Sequence, residues 1–472
     1  METFLTNANR GSISTGYDID NSLKCQVGEG EVLYRDPTSG DRRTFTISFW
    51  FKRSQLTDFG ADPYFMGQGD NARFHFAGDT LRWMFDGNST ELEAAGKLRD
   101  TGAWYHIVIA VDTTQGTNTN RTKAYVNGVQ YPFNNNDWPS QNAESQWGHD
   151  QRQFINVKYA NNNTGDTSYL NSGYYADFCW IDGQQLAPTS FGEVDEDSGI
   201  WKPKDLSGLT FGSEGYWLKF DDSSALGADS SGNGNNFTTV NLDAANQTVD
   251  TPTNNFCTLS PLWRFNAGGT ASITEGATKS APHSSLWCGA KATVGLSAGK
   301  WYWEWKSTGQ GDYMGVQTDG EDNIYSGNPQ NNQMGAFFVH DGEFKIYDAD
   351  STSGRNDVDI DYPAFNSAHI FACALDMDNN RISFYQNGTI IPDSAGGRAN
   401  APGNYDLDGL SNKTVFPTSS QYSYTFEWNF GGYTKFSISS AQSDENGYGN
   451  FEHAPPSGYL AICTKNLAEN GG

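Results

Sequence analysis

The chain has 472 residues, of which 36% are hydrophobic, 14% aromatic and 18% charged, with 52 glycines. This length exceeds that of an ordinary domain and is enough for two cores of about 200 residues each. Its formal net charge of −26 would repel a phosphate backbone, and its 30 basic residues are scattered, which argues against nucleic acid as a partner. A composition rich in glycine and aromatic residues, without sustained helical periodicity, is typical of turn-rich β proteins.

Strand patterns follow one another in the first half of the sequence. In the segment TFTISFWF, Phe45, Ile47 and Phe49 occupy alternate positions and share one face, as a half-buried strand requires. Further strand signals occur in ARFHFAG, TLRWMFDG and YYADFCWIDG. We predict that residues 1–195 form an antiparallel β-sandwich.

One pattern occurs in both halves of the chain: an apolar run that ends in Asp leads into a hairpin. The first copy joins WYHIVIAVD to TKAYVNGVQ, and the second joins IFACALDMD to RISFYQNGTII. The dipeptides Asn127-Gly128 and Asn387-Gly388 mark the turns, because Asn-Gly readily adopts the positive φ angles of a two-residue hairpin. Both halves are therefore predicted to be antiparallel β structure.

Between the two halves the sequence is dense in Gly, Asn, Asp and Ser. Residues 196–260 are predicted to be a connector, and because it includes the strand-like segment GYWLKFDD, we expect it to pack on the sandwiches. Residues 261–472 are predicted to form a second sandwich, in which KWYWEW places Trp301, Trp303 and Trp305 on one face. Three tryptophans on one face indicate that this face belongs to the core, and a ligand-binding surface is the second interpretation.

No segment of the sequence indicates secretion or membrane insertion. Residues 1–14 lack a basic region followed by an apolar core, and no run approaches the ~18 apolar residues of a membrane span. We therefore expect synthesis in the cytoplasm. The six cysteines are widely spaced and form no Cys-x-x-Cys pair, which predicts buried free thiols.

Several of these segments resemble known families. TISFWFKRS, WYHIVIAVDTT and AYVNG resemble the laminin-G or concanavalin A-like jelly roll, whereas KWYWEW, MGVQTDG and IFACALDMDNNRISFYQNG resemble the SPRY sandwich. The segment YYADFCWIDGQQLAPTSFGE resembles the closing strand and exit loop of such jelly-roll domains in structural proteins of marine bacteriophages. The connector segments IWKPKDL, DSSGNGNNF and DTPTNNFCTLSPL, and the ending APPSGYLAICTKNL, are similar to phage proteins that join these two folds.

This resemblance implies a virion appendage, such as a tail fibre, a head fibre or a decoration protein, assembled in the host cytoplasm. Its partners would be other virion proteins and a host-surface glycan. A homo-oligomer is implied, with a trimer favoured, because single sugar sites bind weakly and joined sites gain avidity. Two alternatives stay open: a glycan-degrading depolymerase, and a purely structural joint or capsid decoration protein.

The segment from Glu193 to Asp197, EVDED, is the one string that hints at catalysis. Jelly-roll glucanases place a nucleophile and an acid on one strand in an E-x-D-x-E pattern, and retaining hydrolysis needs two carboxyl groups about 5 Å apart. Here the fifth residue is Asp, and the flanking FGE and DSG predict an exit loop. The seven histidines lack zinc-site spacing, and no nucleophile elbow or phosphate loop is present. We expect no enzymatic activity.

Sugar binding needs an aromatic face for a pyranose and nearby polar groups for its hydroxyls. The candidate positions are loop aromatic residues with polar neighbours: Trp138, Trp147, Tyr313 beside Asp312, and Tyr325 beside Asn323.

Calcium is the one cofactor that the sequence leaves open. A turn rich in oxygen ligands contains Asp229, Asn233 and Asn235, yet it lacks the distal bidentate glutamate of a dedicated site. A solvated turn is therefore the simpler interpretation.

Overall fold

The computed structural model describes residues 16–56, 62–69, 71–86, 90–160, 164–196, 198–266, 271–283, 287–309, 312–319, 335–339, 343–347, 356–359, 366–392, 399–401, 403–407 and 409–470. Within these residues the protein is all-β, as predicted, and its helical structure is limited to short 3₁₀ turns and one α-helix. The chain divides into two compact units, one of which comprises Ser12–Thr253, while the other begins at Asn254.

The strands of the first unit are, in chain order, β1 (Ser22–Cys25), β2 (Val32–Arg35), β3 (Thr44–Arg53), β4 (Tyr64–Gln68), β5 (Ala72–Ala77), β6 (Thr80–Met84), β7 (Glu91–Lys97), β8 (Trp104–Asp112), β9 (Thr122–Val126), β10 (Val129–Tyr131), β11 (Gln153–Ile155), β12 (Lys158–Ala160), β13 (Thr164–Asp166), β14 (Gly173–Asp182), β15 (Gly192–Val194), β16 (Trp201–Pro203), β17 (Tyr216–Leu218), β18 (Thr238–Val240) and β19 (Gln247–Thr248).

These strands form two main antiparallel sheets with a core between them. One sheet has the order β10-β9-β8-β3-β14-β1-β19, with β17 beside β14, and the other has the order β18-β2-β11-β4-β5-β6-β7. Phe45, Ile47 and Phe49 of β3 are fully buried, as their alternation predicts. Phe49 stacks on Phe178 at 4.6 Å and meets the edge of Phe74 from the opposite sheet at 5.9 Å.

The stretch predicted to be a connector contributes strands to both sheets of the first unit. β17 pairs with β14, β18 pairs with β2, and β19 pairs with β1. Beyond β19, the carboxylate of Asp250 accepts a hydrogen bond of 2.7 Å from Lys52 of β3, and both side chains are buried. Although residues 196–260 are polar in composition, those up to Asp250 therefore include strands and a buried carboxylate of the first sandwich.

The second unit contains β20 (Leu259–Asn266), β21 (Ser272–Thr274), β22 (Lys279–Ala281), β23 (Cys288–Ala292), β24 (Lys300–Ser307), β25 (Tyr313–Thr318), β26 (Gly335–Val339), β27 (Glu343–Tyr347), β28 (Asn356–Asp359), β29 (Phe371–Asp376), β30 (Arg381–Gln386), β31 (Thr389–Ile390), β32 (Ala399–Ala401), β33 (Asn404–Asp406), β34 (Val415–Gln421), β35 (Phe426–Asn429), β36 (Leu460–Ala461) and α1 (Thr464–Asn470).

The second unit is also a sandwich of two sheets. One has the order β20-β23-β34-β25-β26-β27-β28, and the other has the order β21-β22-β35-β24-β29-β30-β33-β32, with β31 beside β30 and β36 beside β24. Trp301, Trp303 and Trp305 of β24 are fully buried in the main core, as the sequence predicts. The opposite face of β24 is covered as well, because Tyr302 packs against Phe451 at 5.1 Å.

Two local predictions are confirmed. Asn127 and Gly128 have φ angles of 49° and 78°, and Asn387 and Gly388 have φ angles of 49° and 74°, as two-residue hairpins require. All six cysteines are buried free thiols.

A buried carboxylate, Glu304, attaches the C-terminal segment to β24. It accepts hydrogen bonds from the backbone N–H groups of Glu452 at 2.9 Å and His453 at 2.8 Å. Asn429 and Tyr302 donate to it as well, at 3.0 and 3.2 Å. Burial outweighs these hydrogen bonds and raises the pKa of Glu304 to about 7.

Shortening the first unit should reveal its dependence on β17, β18 and β19. A fragment of residues 12–253 keeps these strands, whereas a fragment of residues 1–200 also loses Asp250 and leaves Lys52 buried without that carboxylate. Because breaking a buried pair costs roughly 3–5 kcal/mol, we expect the shorter fragment to melt at a lower temperature or without cooperativity in calorimetry. Equal cooperative transitions in the two fragments would contradict this expectation.

Glu304 should make the stability of the protein decrease as pH rises. Its pKa is about 7 when folded, against a usual value of 4.5, so the folded state holds more protons between these values. We expect the carboxyl to reduce the free energy of unfolding by up to about 3 kcal/mol over that window. Denaturant titrations at acidic and neutral pH should show a weaker pH dependence in Glu304→Gln.

The matched control is Glu469→Gln, which changes an exposed glutamate of α1. It should keep the pH dependence of the unchanged protein. If Glu304→Gln keeps the full pH dependence as well, the buried carboxyl is not its source.

Candidate functional site

Three strand ends bring aromatic residues together at one end of the second unit. β34 lies between β23 and β25, and both pairings are antiparallel. The start of β23, the end of β34 and the start of β25 therefore lie at the same end of the sheet. The aromatic residues at these ends are Trp287, Tyr422 and Tyr313.

The three rings form a continuous contact, which we call the aromatic surface. The ring centroids of Trp287 and Tyr422 are 5.5 Å apart with planes inclined by 42°, and Trp287 meets Tyr313 edge-on at 5.7 Å. Tyr422 is 41% exposed and Trp287 is half-buried, whereas Tyr313 is only 5% exposed. Tyr313 is thus the support, and the other two rings are accessible to a ligand.

Asp312 fixes the chain that carries Tyr422. Its buried carboxylate accepts hydrogen bonds from the backbone N–H groups of Tyr422 at 3.0 Å, Ser423 at 3.4 Å and Tyr424 at 2.8 Å. Burial raises the pKa of Asp312. This residue, predicted as a ligand contact, is engaged in holding the aromatic surface in shape.

The other aromatic candidates lie elsewhere. Trp147 is fully buried in the first unit, stacks on Trp83 at 4.6 Å and donates to the carbonyl of Met84, so it has no face open to a ligand. Trp138 is half-buried and packs edge-on against Phe133 at 5.3 Å.

Tyr325 and Asn323 lie outside the described residues. Trp287 and Tyr422 were not among the sequence candidates. In the sequence, each is an aromatic residue next to the end of a strand. This position indicates a shared site only when the order of the strands in the sheet is known.

The turn considered for calcium is closed by its own hydrogen bonds. Asp229 accepts from the backbone N–H groups of Trp217, Ser231 and Asn235, at 2.8–2.9 Å, and from the hydroxyl of Ser231. The side-chain amides of Asn233 and Asn235 donate to the carbonyl of Gly215. Both carboxylate oxygens of Asp229 are thus occupied by donors of the protein, which favours the interpretation as a structural turn.

The acidic segment considered for hydrolysis is also engaged structurally. Glu193 lies in β15. Asp195, the first residue after this strand, is buried, and its carboxylate accepts hydrogen bonds from the backbone N–H and the hydroxyl of Ser198. Lys202 lies 3.0 Å from the carboxylate of Asp195 and 3.7 Å from that of Glu193. Asp197 lies outside the described residues.

A buried Ser48–His106 contact does not form a nucleophile and base pair. Trp201 donates its indole N–H to Nδ1 of His106 at 3.0 Å, so the hydrogen of the neutral ring lies on Nε2. Nε2 is 2.8 Å from the hydroxyl of Ser48 and therefore donates to it. Burial lowers the pKa of His106 to about 3, which keeps the ring neutral.

Within the described ranges, no cluster of three or more His, Cys, Asp or Glu residues is arranged to hold a metal ion. No helix in the same part of the chain is both long and apolar enough to cross a membrane.

A family model described as the concanavalin A-like lectin/glucanases superfamily, Laminin_G_3, matches residues 27–171. This match confirms the concanavalin A-like character predicted for the first sandwich. The matched residues run from just before β2 to just before β14. No curated protein matches this chain.

Several solved structures are similar at low identity. Domains LG4-5 of the mouse laminin α1 chain are 12% identical, with 89% of this chain and 92% of that chain covered and a TM-score of 0.28. The SPRY domain of human HERC1 is 16% identical, with 36% of this chain and 96% of that domain covered and a TM-score of 0.24. A heptameric SAP-like pentraxin from Limulus polyphemus is 16% identical, with 36% of this chain and 80% of that chain covered and a TM-score of 0.28.

Replacing Asp229 should test whether its turn is structural. Asp229→Asn places an N–H₂ group against N–H donors, so we expect a loss of about 1–3 kcal/mol of stability. Added calcium should not shift the melting temperature of the unchanged protein. Asp222→Asn is the control, because Asp222 is exposed and accepts only local hydrogen bonds from Ser224. A calcium-dependent rise that Asp229→Asn abolishes would assign a cation site instead.

Proposed function

We propose that this protein binds glycans without catalysing their cleavage, and that it does so as an appendage protein of a bacteriophage virion. The observation that carries the proposal is the aromatic surface of Trp287 and Tyr422 on the buried support of Tyr313. A half-buried indole beside an exposed phenol offers an apolar face and a polar hydroxyl, which is what a pyranose needs.

The rigidity of this surface supports recognition. The Asp312 carboxylate fixes the backbone from Tyr422 to Tyr424. At Gly309 a Cβ atom would lie 2.0 Å from the ring of Tyr424, so this neighbouring ring packs directly on the backbone. A ligand would therefore meet rings that are already ordered, and binding would cost less side-chain entropy.

The first unit supports the same class of ligand. Its residues 27–171 match a superfamily described by lectins and glucanases. The depolymerase alternative rests on the pair Glu193 and Asp197, of which Asp197 lies outside the described residues. Between them, Asp195 is buried and lies 3.0 Å from Lys202, which supports a structural role for that position. The depolymerase alternative would need a free acid and nucleophile pair.

The place in a virion, assembled in the host cytoplasm, rests on the resemblance of the connector and the C-terminal segment to structural proteins of marine bacteriophages. A homo-oligomer, with a trimer favoured, fits this place. Weak single-site affinities for sugars gain roughly 10² to 10⁴ in avidity when sites are joined. Its partners would be other virion proteins and a host-surface glycan.

Removing the indole of the aromatic surface should weaken glycan binding. We expect Trp287→Ala to reduce affinity for immobilised bacterial surface polysaccharides roughly tenfold, the equivalent of about 1.4 kcal/mol, because the stacking face is lost. Biolayer interferometry against a panel of such polysaccharides gives the measurement, and near-ultraviolet circular dichroism checks the fold.

Trp138→Ala is the matched control, since Trp138 is a half-buried loop tryptophan of the first unit. Binding that is lost in Trp138→Ala and kept in Trp287→Ala would move the site to that loop. New reducing ends released by the unchanged protein and abolished in Glu193→Gln would favour the depolymerase.

A further inference from the structure

A row of polar side chains crosses the outer face of the sheet β4-β5-β6-β7 in the first unit. In β5, Phe74 and Phe76 point into the core, so the residue between them faces outward. The strand register then places four outward residues side by side across β4, β5, β6 and β7: Tyr64, His75, Arg82 and Glu93. We call these four residues the polar row.

The positive charge in the polar row is balanced. The guanidinium of Arg82 donates to the carboxylate of Glu93 at 2.9 Å and to that of Glu91 at 3.4 Å. All three side chains are about one-third exposed, at 35%, 29% and 29%. Such an ion pair contributes little to stability, but it presents donors and acceptors in fixed positions at the surface.

His75 is the unusual member of the row. Its side chain is only 4% exposed, and within the described structure its Nδ1 atom has no hydrogen-bond partner. Its Nε2 atom lies 3.9 Å from carboxylate oxygens of Asp62 and Glu91, beyond hydrogen-bond distance. The ring stacks on Tyr64 at 4.6 Å. A buried imidazole is thus held in place by stacking, with nitrogen atoms that the fold does not use.

The imidazole is neutral. Burial, together with the charges of Arg82, Arg73 and Lys158, lowers the pKa of His75 to about 3. A neutral imidazole offers one N–H donor and one acceptor. Nδ1 is buried, so only Nε2 can meet a ligand. A hydroxyl group, which both donates and accepts, can pair with Nε2 in either neutral tautomer, whereas an anion can pair only with the N–H form.

The hairpin β12–β13 forms a wall beside the row. At Gly67 a Cβ atom would lie 2.5 Å from the backbone nitrogen of Tyr159, so a glycine lets the hairpin lie directly on β4. The segment after β13 places the ring of Tyr169 edge-on against Tyr64 at 5.4 Å. Tyr169 is half-buried, with the ammonium of Lys158 4.4 Å from its ring centre.

We propose that the polar row is a second sugar site, which takes an uncharged pyranose residue of a glycan. Nε2 of His75, the guanidinium of Arg82 and the adjoining carboxylate of Glu91 hydrogen-bond its hydroxyls. Tyr169 packs against its apolar edge. The balanced charges and the neutral imidazole favour an uncharged ligand over a uronate or a sulfate. This inference rests on the proposed function for the class of ligand, but the site belongs to a different unit from the aromatic surface.

The test is saturation-transfer NMR on the full chain with four separate probes: the methyl glycosides of galactose, glucose and mannose, and sodium glucuronate. We expect transfer to at least one neutral glycoside and none to glucuronate. Binding should weaken about tenfold in Glu91→Gln and in His75→Phe, the latter of which keeps the stacking on Tyr64. Both changes are made in a Tyr422→Ala chain, so that a contribution from the aromatic surface does not mask the loss.

Each other outcome counts against the inference. No transfer to the three neutral glycosides, preference for glucuronate, or undiminished binding in Glu91→Gln would overturn it. A signal that Tyr422→Ala removes completely would overturn it and leave the proposed function standing. A signal that Tyr422→Ala leaves at full strength and Glu91→Gln removes would support the polar row and count against the aromatic surface. If His75→Phe does not unfold cooperatively, Glu91→Gln decides, because its carboxylate is partly exposed.

Discussion

Buried carboxylates that accept several N–H groups hold the long irregular segments of this protein onto its sheets. Asp312 binds the backbone that follows β34, and Glu304 binds the segment at 452–453. The half-buried Asp229 closes the turn at 229–235 with the same kind of hydrogen bonds. Loops between strands leave backbone donors without ladder partners, and the two oxygens of one carboxyl group can accept from several of these donors at once. The orientation of Tyr422, and with it the aromatic surface, depends on one such contact.

The local features of the fold could be predicted because they are encoded within a few residues. Alternation in β3 and β24 identified the buried faces, and Asn-Gly identified the turns with positive φ. The burial of Tyr302 and Glu304 could not be predicted, because alternation places them on the face opposite the tryptophans. They are covered by residues near 451–463, far away in sequence. A strand pattern records which residues share a face and does not record what lies over it.

The same distinction limits what the sequence says about the candidate sites. It pointed to Tyr313 and Asp312, but the exposed rings next to them come from positions 287 and 422, which only the strand order brings together. Trp147 has a polar sequence context yet stacks on Trp83 inside the core. The polar row likewise depends on register between four strands, since a shift by one residue would turn His75 into the core.

The net charge of −26 constrains how the proposed glycan binding can work. A strongly negative protein is repelled by acidic polysaccharides at long range, so affinity for a cell surface would have to come from short-range contacts. Stacking on Trp287 and Tyr422 and hydrogen bonding to neutral groups such as His75 are contacts of this kind. They are also individually weak, so avidity would come from several such sites engaging one cell surface together. An excess of negative charge is therefore compatible with adhesion when the recognised sugars are uncharged and several sites engage together.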